Sequence, residues 1–348
     1  MKALVLTAPN EFSIENVADP SPGPNEVLCK VRRVGICGTD VHMIQGDYPM
    51  WPAYHPFIPG HEWTGEIVAL GQGSGDFGFA VGDRVAGSSH SPCSYCRNCI
   101  KGRYNLCLSY GNPRWHDHYG HTSQGSFADY VVHNIRSVFR VPDGLDYDQA
   151  AVADPGSIAL HATNRGEVSE GQAVVVVGAG PVGVLAADCA RAKGASRVIV
   201  AARGARLDIA AKLGFETLDT TVDDPVAALR SLVPLGADVV VDAAGTPQSI
   251  PLALSMLARG GRCSTVGIPT KEMSLDLAPL VLDELELVGA RAVAGEMSSI
   301  LDLMADGRVR AGELVTHRYP LSEFATALAV TANRTDGAMK VLIDMDLE

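Results

Sequence analysis

Four cysteines fall within fifteen residues, at Cys93, Cys96, Cys99 and Cys107. With two, two and seven residues between them, one loop can close four thiolates around a tetrahedral ion and leave no position open for chemistry. An iron–sulfur cluster is the competing reading, but the ferredoxin run places its fourth cysteine after three residues and before a proline. Here seven residues intervene and Leu108 follows Cys107. Four unligated thiols crowded on a loop would oxidise. A structural zinc site is therefore expected, one that stabilises and does not catalyse. Cys29, Cys189 and Cys263 stand apart and read as core thiols.

The start, MKALVLTAPN, has one lysine and a short apolar run without a small-residue cleavage site, so it reads as a first strand. Clustered cysteines in an unsecreted chain point to metal before disulfides. The longest uncharged apolar stretch, residues 173–187, is interrupted by Gly178, Gly180, Pro181 and Gly183 and is too short for a membrane span. A soluble, cytoplasmic protein is expected. Formal net charge is -12, which argues against a nucleic-acid surface and for small-molecule partners.

Of the 348 residues, 47% are hydrophobic and 20% charged, enough for two packed cores. Residues 1–154 carry short alternating runs punctuated by glycine and proline, the pattern of a mainly antiparallel β domain with few helix signals. Residues 155–289 alternate strand and helix patterns, which implies a parallel sheet wrapped by helices. From about residue 290 the signals mix again, with helices over 298–305 and 321–332 and a final strand over 340–343. The fold class is thus α/β.

Gly178, Gly180 and Gly183 form G-x-G-x-x-G directly after the run AVVVV and directly before a helical pattern. The glycines permit a tight turn, let backbone approach a pyrophosphate and let helix and strand pack closely, while the helix N-terminus supplies positive potential. Pro181 and Val182 complete the loop. Alone the motif is only a glycine-rich turn, but strand, helix and the second strand VIVA follow in the order of a Rossmann doubly wound sheet. An NAD site ends its second strand with an acid, whereas this strand ends in Ala201 and Ala202, followed by Arg203 and Arg206. Nothing there repels a 2′-phosphate, and a guanidinium suits one. NADP is expected as the preferred cofactor, with NAD as the alternative; the plainer reading is that both arginines solvate a turn.

The segments GICGTDVH (residues 35–42) and PGHE (59–62) offer a thiolate, an imidazole and a carboxylate on turns of the β domain. These are catalytic-zinc ligand types, three of which leave a fourth position for substrate. GICGTDVH, PGHEWTGEIVALG, the four-cysteine lobe and VVVGAGPVG together resemble the medium-chain zinc alcohol dehydrogenases over nearly the whole chain. The polyol (sorbitol-type), butanediol and threonine dehydrogenase branches are most similar. The resemblance implies a GroES-like catalytic domain over 1–154 and 290–348 and a Rossmann domain over 155–289. It makes Cys37 and His61 ligands of a second zinc, with Glu62 as third ligand or as a carboxylate that exchanges with water. Asp154, in the phrase AVADPG, takes the remaining family position, where Glu or Cys is common; it ligates directly, acts through water, or leaves Glu62 to complete the set. Glu62 and Asp154 can equally orient the imidazole.

Hydride loss from an alcohol also requires loss of the hydroxyl proton. Thr39 can hydrogen-bond the alcohol oxygen and His42 can pass the proton outward, the plainer readings being a turn residue and a surface histidine. The expected activity is NAD(P)-dependent oxidation of a secondary alcohol (a polyol, diol or amino alcohol) or reduction of its ketone. An L-threonine-type amino alcohol dehydrogenase and a catalytically silent zinc- and nucleotide-binding protein are the alternatives. Tyr48, Trp51, Tyr54, Trp115, His116 and His118 are candidate pocket walls, although loop aromatics more often pack locally. The resemblance also implies a homodimer or homotetramer.

Overall fold

A computed structural model describes residues 1–48, 56–269 and 271–347. They form two units, one of Met1–Asp154, Met297–Ala305 and Ala311–Glu348 and the other of Pro155–Glu296 and Asp306–Arg310. Residues 290–296 and Asp306–Arg310 join the second unit because their polar side chains are held there. Glu296 accepts from His161 Nδ1 and Asn164 Nδ2, and Arg310 pairs with the buried Asp188. No helix among the described residues is long and apolar enough to cross a membrane.

The first unit is built on a seven-stranded sheet in which Lys340–Asp344, Glu26–Gly35 and Glu62–Leu70 are adjacent. The middle strand, EVLCKVRRVG, alternates, and buries Val27, Cys29, Val31 and Val34 against Trp63, Phe57, Phe127 and Leu6. Side chains of this size contribute roughly 2 kcal/mol each on burial, so the alternation sets which face looks inward. Register then fixes the strand ends: Gly35 lies opposite Glu62 on one side and Leu342 on the other. Lys340 is 3% exposed and Glu62 1%, and they meet as a buried ion pair at 2.5 Å. A Cβ on Gly35 would stand 2.3 Å from Glu62 Oε2.

GTDVHMIQ, expected on a turn, is a helix, Gly38–Gln45. Cys37 is its N-cap, Asp40 Oδ2 accepts the Cys37 N–H at 2.8 Å, and Gly46 ends it in the left-handed region at φ 81°. This capping arrangement supports a helix too short to be stable alone. A longer helix, Ala153–Arg165, begins at Ala-Asp-Pro-Gly, a phrase that reads as a turn. Proline is tolerated there because first-turn N–H groups have no intrahelical partner.

In the second unit six strands are all parallel and lie in chain order 3-2-1-4-5-6. The central strand Ala173–Val177 buries Val174, Val175, Val176 and Val177, as a strand covered on both faces must. The sequence reading did not mark the strands Glu216–Asp219 and Glu286–Gly289. Both are only four residues long, and they are the two edges of the sheet.

One backbone approach ties the first unit together around His61. Gly60, Gly120 and Gly125 meet so closely that a Cβ on Gly120 or Gly125 would lie 2.1 or 2.3 Å from Gly60 O. Ser126 N–H donates to Gly60 O and Phe127 N–H to Pro59 O, both at 3.0 Å. Gly120 is left-handed at φ 71°, and Gly111 shares that conformation at φ 77° with nothing within 4 Å. Gly111→Ala should therefore cost only the left-handed term, about 1 kcal/mol. Gly120→Ala should cost about 3 kcal/mol, because the overpacking is added. Chemical denaturation of both variants against the parent checks the ranking, and equal losses would show that the approach to Gly60 is slack.

Candidate active site

Cys37, His61 and Glu62 come together where Glu26–Gly35 and Glu62–Leu70 share an end. One ligand atom from each lies within 4.8 Å of the others. His61 is 4% exposed, with Nδ1 3.5 Å from Asp40 Oδ1 and Nε2 3.4 Å from Thr39 Oγ1. Burial works against a proton on this ring, but Asp40 and Cys37 outweigh it and hold the imidazole well above its usual pKa. The same negative field would hold a metal cation, and a metal needs the ring neutral. Asp40, whose other oxygen accepts from the Cys37 N–H, thus links the two donors and orients the imidazole.

Asp154 is 3% exposed, and burial pushes its carboxyl up to about 6 even though His61 and Lys340 act in the opposite direction. It stands close enough to feel His61, Glu62 and Lys340, yet its oxygens are outside the group formed by Cys37, His61 and Glu62. Lys340 keeps its proton: burial pulls its pKa down, but Glu62, Cys37 and Asp40 raise it above the ordinary value. Four acidic groups, Cys37, Asp40, Glu62 and Asp154, therefore surround a single lysine. Unpaired buried charge is costly, and a divalent cation fits this donor set.

Asp40, Lys340 and His121 were not among the residues singled out in the sequence. Asp40 was legible in principle, as the third helical residue after Cys37. Lys340 is 278 residues from Glu62, and only its position at the start of an apolar strand hints at burial.

Thr39 is half-buried, and His42 is exposed, with Nδ1 3.0 Å from Asp47 Oδ1. His116 and His118, expected as pocket walls, are 2% and 5% exposed and belong to a ring cluster. His90 stacks on His118 at 4.3 Å, His118 on His121 at 3.7 Å, and His121 tilts against His61 at 4.4 Å. Tyr48 is half-buried, 5.7 Å from His121. Trp115 instead packs edge-on against Tyr95 at the surface. Trp51 and Tyr54 lie outside the described residues.

In the cysteine lobe, one sulfur atom from each of Cys93, Cys96, Cys99 and Cys107 lies within 4.8 Å of the rest. Cys93–Cys99 is 3.8 Å and Cys96–Cys99 3.4 Å, against about 3.8 Å between sulfurs of a tetrahedral zinc with bonds of about 2.3 Å. The Leu108 and Cys99 N–H groups hold the Cys96 thiol down to about 6. For Cys93 burial acts upward, but the Tyr95 and Cys96 N–H groups bring it below its usual value. Asn98 Nδ2 donates to Leu106 O at 2.6 Å and closes the loop. The donor set fits zinc.

In the second unit, Gly178 is left-handed at φ 103°, and a Cβ on Gly183 would lie 1.9 Å from Gly178 O. The helix Pro181–Ala192 starts there with Gly180 as N-cap and Pro181 in its first turn, leaving N–H groups free for an anion. Val182 is half-buried. Arg206 Nη1 is 3.3 Å from where a Cβ of Gly180 would be, and Arg203 is exposed.

Residues 23–143 match the alcohol dehydrogenase GroES-like domain family and residues 181–306 the zinc-binding dehydrogenase family. The chain is 33% identical to a sorbitol dehydrogenase of Halalkalibacterium halodurans, with 99% of each chain covered. It is 34% identical to an L-threonine 3-dehydrogenase of Pectobacterium carotovorum subsp. carotovorum, again over 99% of each. A crystal structure of a zinc-binding dehydrogenase of Sinorhizobium meliloti 1021 bound to NADP superposes with a TM-score of 0.90 at 30% identity, covering 99% of this chain and 98% of that one. The chain belongs to the zinc-dependent medium-chain alcohol dehydrogenase family and is an oxidoreductase that uses zinc and a nicotinamide cofactor.

Proposed function

We propose that this enzyme oxidises the carbinol of a small polar secondary alcohol (polyol, diol or amino alcohol), or reduces the matching ketone, with two zinc ions per chain and NADP(H) preferred. The observation that carries the reading is the mixed donor group of Cys37, His61 and Glu62 beside the half-buried Thr39. Three ligands of mixed type suit an open, catalytic ion, and four thiolates a closed, structural one. A bound zinc supplies Lewis-acid polarisation of the alcohol oxygen and the nicotinamide takes the hydride.

The chain's own residues do the rest. Cys37, His61 and Glu62 hold the ion, Asp40 fixes the ring of His61, and Lys340 holds Glu62 by one oxygen. Asp154 sits outside the ligand set and adds negative charge to it. Thr39 Oγ1 accepts the hydroxyl proton's hydrogen bond, and His42, exposed and steadied by Asp47, hands the proton to water. Gly178, Gly180, Pro181, Val182 and Gly183 cradle the pyrophosphate, and Arg203 and Arg206 take the 2′-phosphate. Asp219, in register with Ala202, accepts from the Thr221 N–H and hydroxyl at 2.8 Å each, so it is engaged locally. Val281 and Leu282, 76% and 79% exposed, precede the edge strand Glu286–Gly289, and they support a homo-oligomer formed through this unit.

Elemental analysis should find two zinc ions per chain in a colourless protein. Cys37→Ser should lose one ion together with turnover, and Cys107→Ser the other; a single ion in the parent, or iron with brown colour, overturns the assignment. Thr39→Ala should lower kcat about 100-fold with little change in cofactor KM, and Thr39→Ser should recover most of it. Unchanged kcat at neutral pH would sink the relay. The kcat/KM for NADP should exceed that for NAD, and Arg203→Ala with Arg206→Ala should reduce the NADP-to-NAD ratio about tenfold or more. Parity between the cofactors in the parent enzyme contradicts the preference.

A further inference from the structure

Among the described residues, His121 is the ring that touches both His61 of the metal-ligand group and His118 of the histidine column. Its ring centre is 4.4 Å from that of His61, 5.7 Å from Tyr48 and 3.7 Å from His118, on which it lies parallel within 4°. The turn that carries it is held by three N–H donations to His118 O, from His121, Thr122 and Ser123 at 2.8–3.0 Å. Its base is the left-handed Gly120 pressed against Gly60. The ring is 4% exposed, so its position is rigid.

Its two nitrogens are not equivalent. Nδ1 is 3.1 Å from the Tyr119 carbonyl, which can only accept, so Nδ1 carries the proton. The neutral ring therefore presents Nε2 as an acceptor, and the contact of Nδ1 with Tyr119 O is the one side-chain hydrogen bond of His121 among the described residues. His118 differs, since its Nδ1 is already bonded to Tyr110 Oη at 2.5 Å.

We propose that His121 determines substrate specificity by accepting, at Nε2, a hydrogen bond from a second, neutral hydroxyl on the carbon next to the one that is oxidised. This rests on the alcohol dehydrogenase reading above and narrows its substrate to vicinal diols and polyols. Charge points the same way. Around Cys37, Asp40, Glu62 and Asp154 the lysine among the described residues is Lys340, which is already paired with Glu62. With a divalent ion bound, no positive charge is left over for a substrate carboxylate, so an amino acid such as threonine is disfavoured. The hydroxyl of a diol brings a donor and no charge to desolvate.

The test compares propane-1,2-diol with propan-2-ol, which share the carbinol and differ by one hydroxyl, using zinc-loaded enzyme and either nicotinamide. The parent should prefer the diol at least tenfold in kcat/KM and oxidise L-threonine far more slowly than the diol. His121→Phe keeps an aromatic ring in the stack and removes the acceptor, and should reduce the diol-to-monoalcohol ratio about tenfold. His121→Gln, which restores an amide oxygen, should regain part of the ratio. Zinc content and Tm of both variants report whether the site is intact. An equal fall for both alcohols, an unchanged ratio, or a parent that favours L-threonine overturns the proposal. A parent that turns over neither alcohol counts against the small secondary-alcohol substrate of the proposed function instead. In that event calorimetric titration of diol and monoalcohol into the zinc-loaded parent and His121→Phe decides, and a diol affinity that the substitution leaves unchanged counts against His121.

Discussion

The geometry of the metal-ligand group depends on the register of three hydrogen-bonded strands. Gly35 pairs with Glu62 on one side and Leu342 on the other, and Ile36 N–H donates to Val341 O at 2.9 Å. Cys37 therefore leaves the middle strand at the same level at which Glu62 enters its neighbour and Lys340 begins the third. A one-residue slip in either ladder would send Glu62 or Lys340 to the opposite face. The apolar cost of such a slip is large, because Val34, Trp63, Val341 and Ile343 are all buried. Core packing that has no chemistry of its own is thus what holds a thiolate, an imidazole and a carboxylate at ligand distance.

Register alone does not place His61. It follows Gly60 in a turn whose backbone abuts Gly120 and Gly125, so the chain that returns after the cysteine lobe is clamped to the PGHE turn. The clamp also explains how so many histidines can be buried at once. His90 and His118 are cross-strand partners, and the turn that follows folds His121 back over His118. Burial depresses His118 and brings His121 to about 3, so these rings pack as neutral aromatic plates with polar edges. His61 belongs to the same set of rings but faces Asp40 and Cys37, and the field there is reversed. One geometry yields imidazoles with opposite electrostatic roles because the carboxylate sits at one end only.

Much of this was legible locally. The four cysteines, the G-x-G-x-x-G turn after a valine run, and GICGTD with PGHE each carry their meaning within a few residues, since tight turns and ligand spacing are short-range properties. Asp40, the acid of GICGTD, adds the cap that turns the expected loop into Gly38–Gln45. What escaped was set by distant pairing. Nothing near Lys340 announces that its partner is Glu62, and nothing in YGHTS announces that His121 will lie on His61 rather than at the surface, as His42 does. Ala153–Arg165 was missed for a different reason. Asp-Pro-Gly is a turn phrase unless it falls in a first helical turn, and only the packing of the following Ala159, Leu160 and Ala162 decides that.

The two metal-ligand groups answer the same physical problem, crowded negative charge, in ways that match different tasks. In the lobe the Cys93 and Cys96 thiolates are stabilised by backbone N–H groups, which are fixed dipoles and cannot move a proton or exchange a ligand. Four sulfurs around an ion would leave no position open, which suits a structural staple. At Cys37, His61 and Glu62 the stabilising groups are side chains that carry their own charge, Asp40 on one ligand and Lys340 on another. Because Lys340 already draws on Glu62 Oε2, that carboxylate is a weaker and more labile donor than a thiolate. In the proposed function, uneven donors and an incomplete shell would let an ion release one oxygen and take another, so the asymmetry of the site is what favours the catalytic reading.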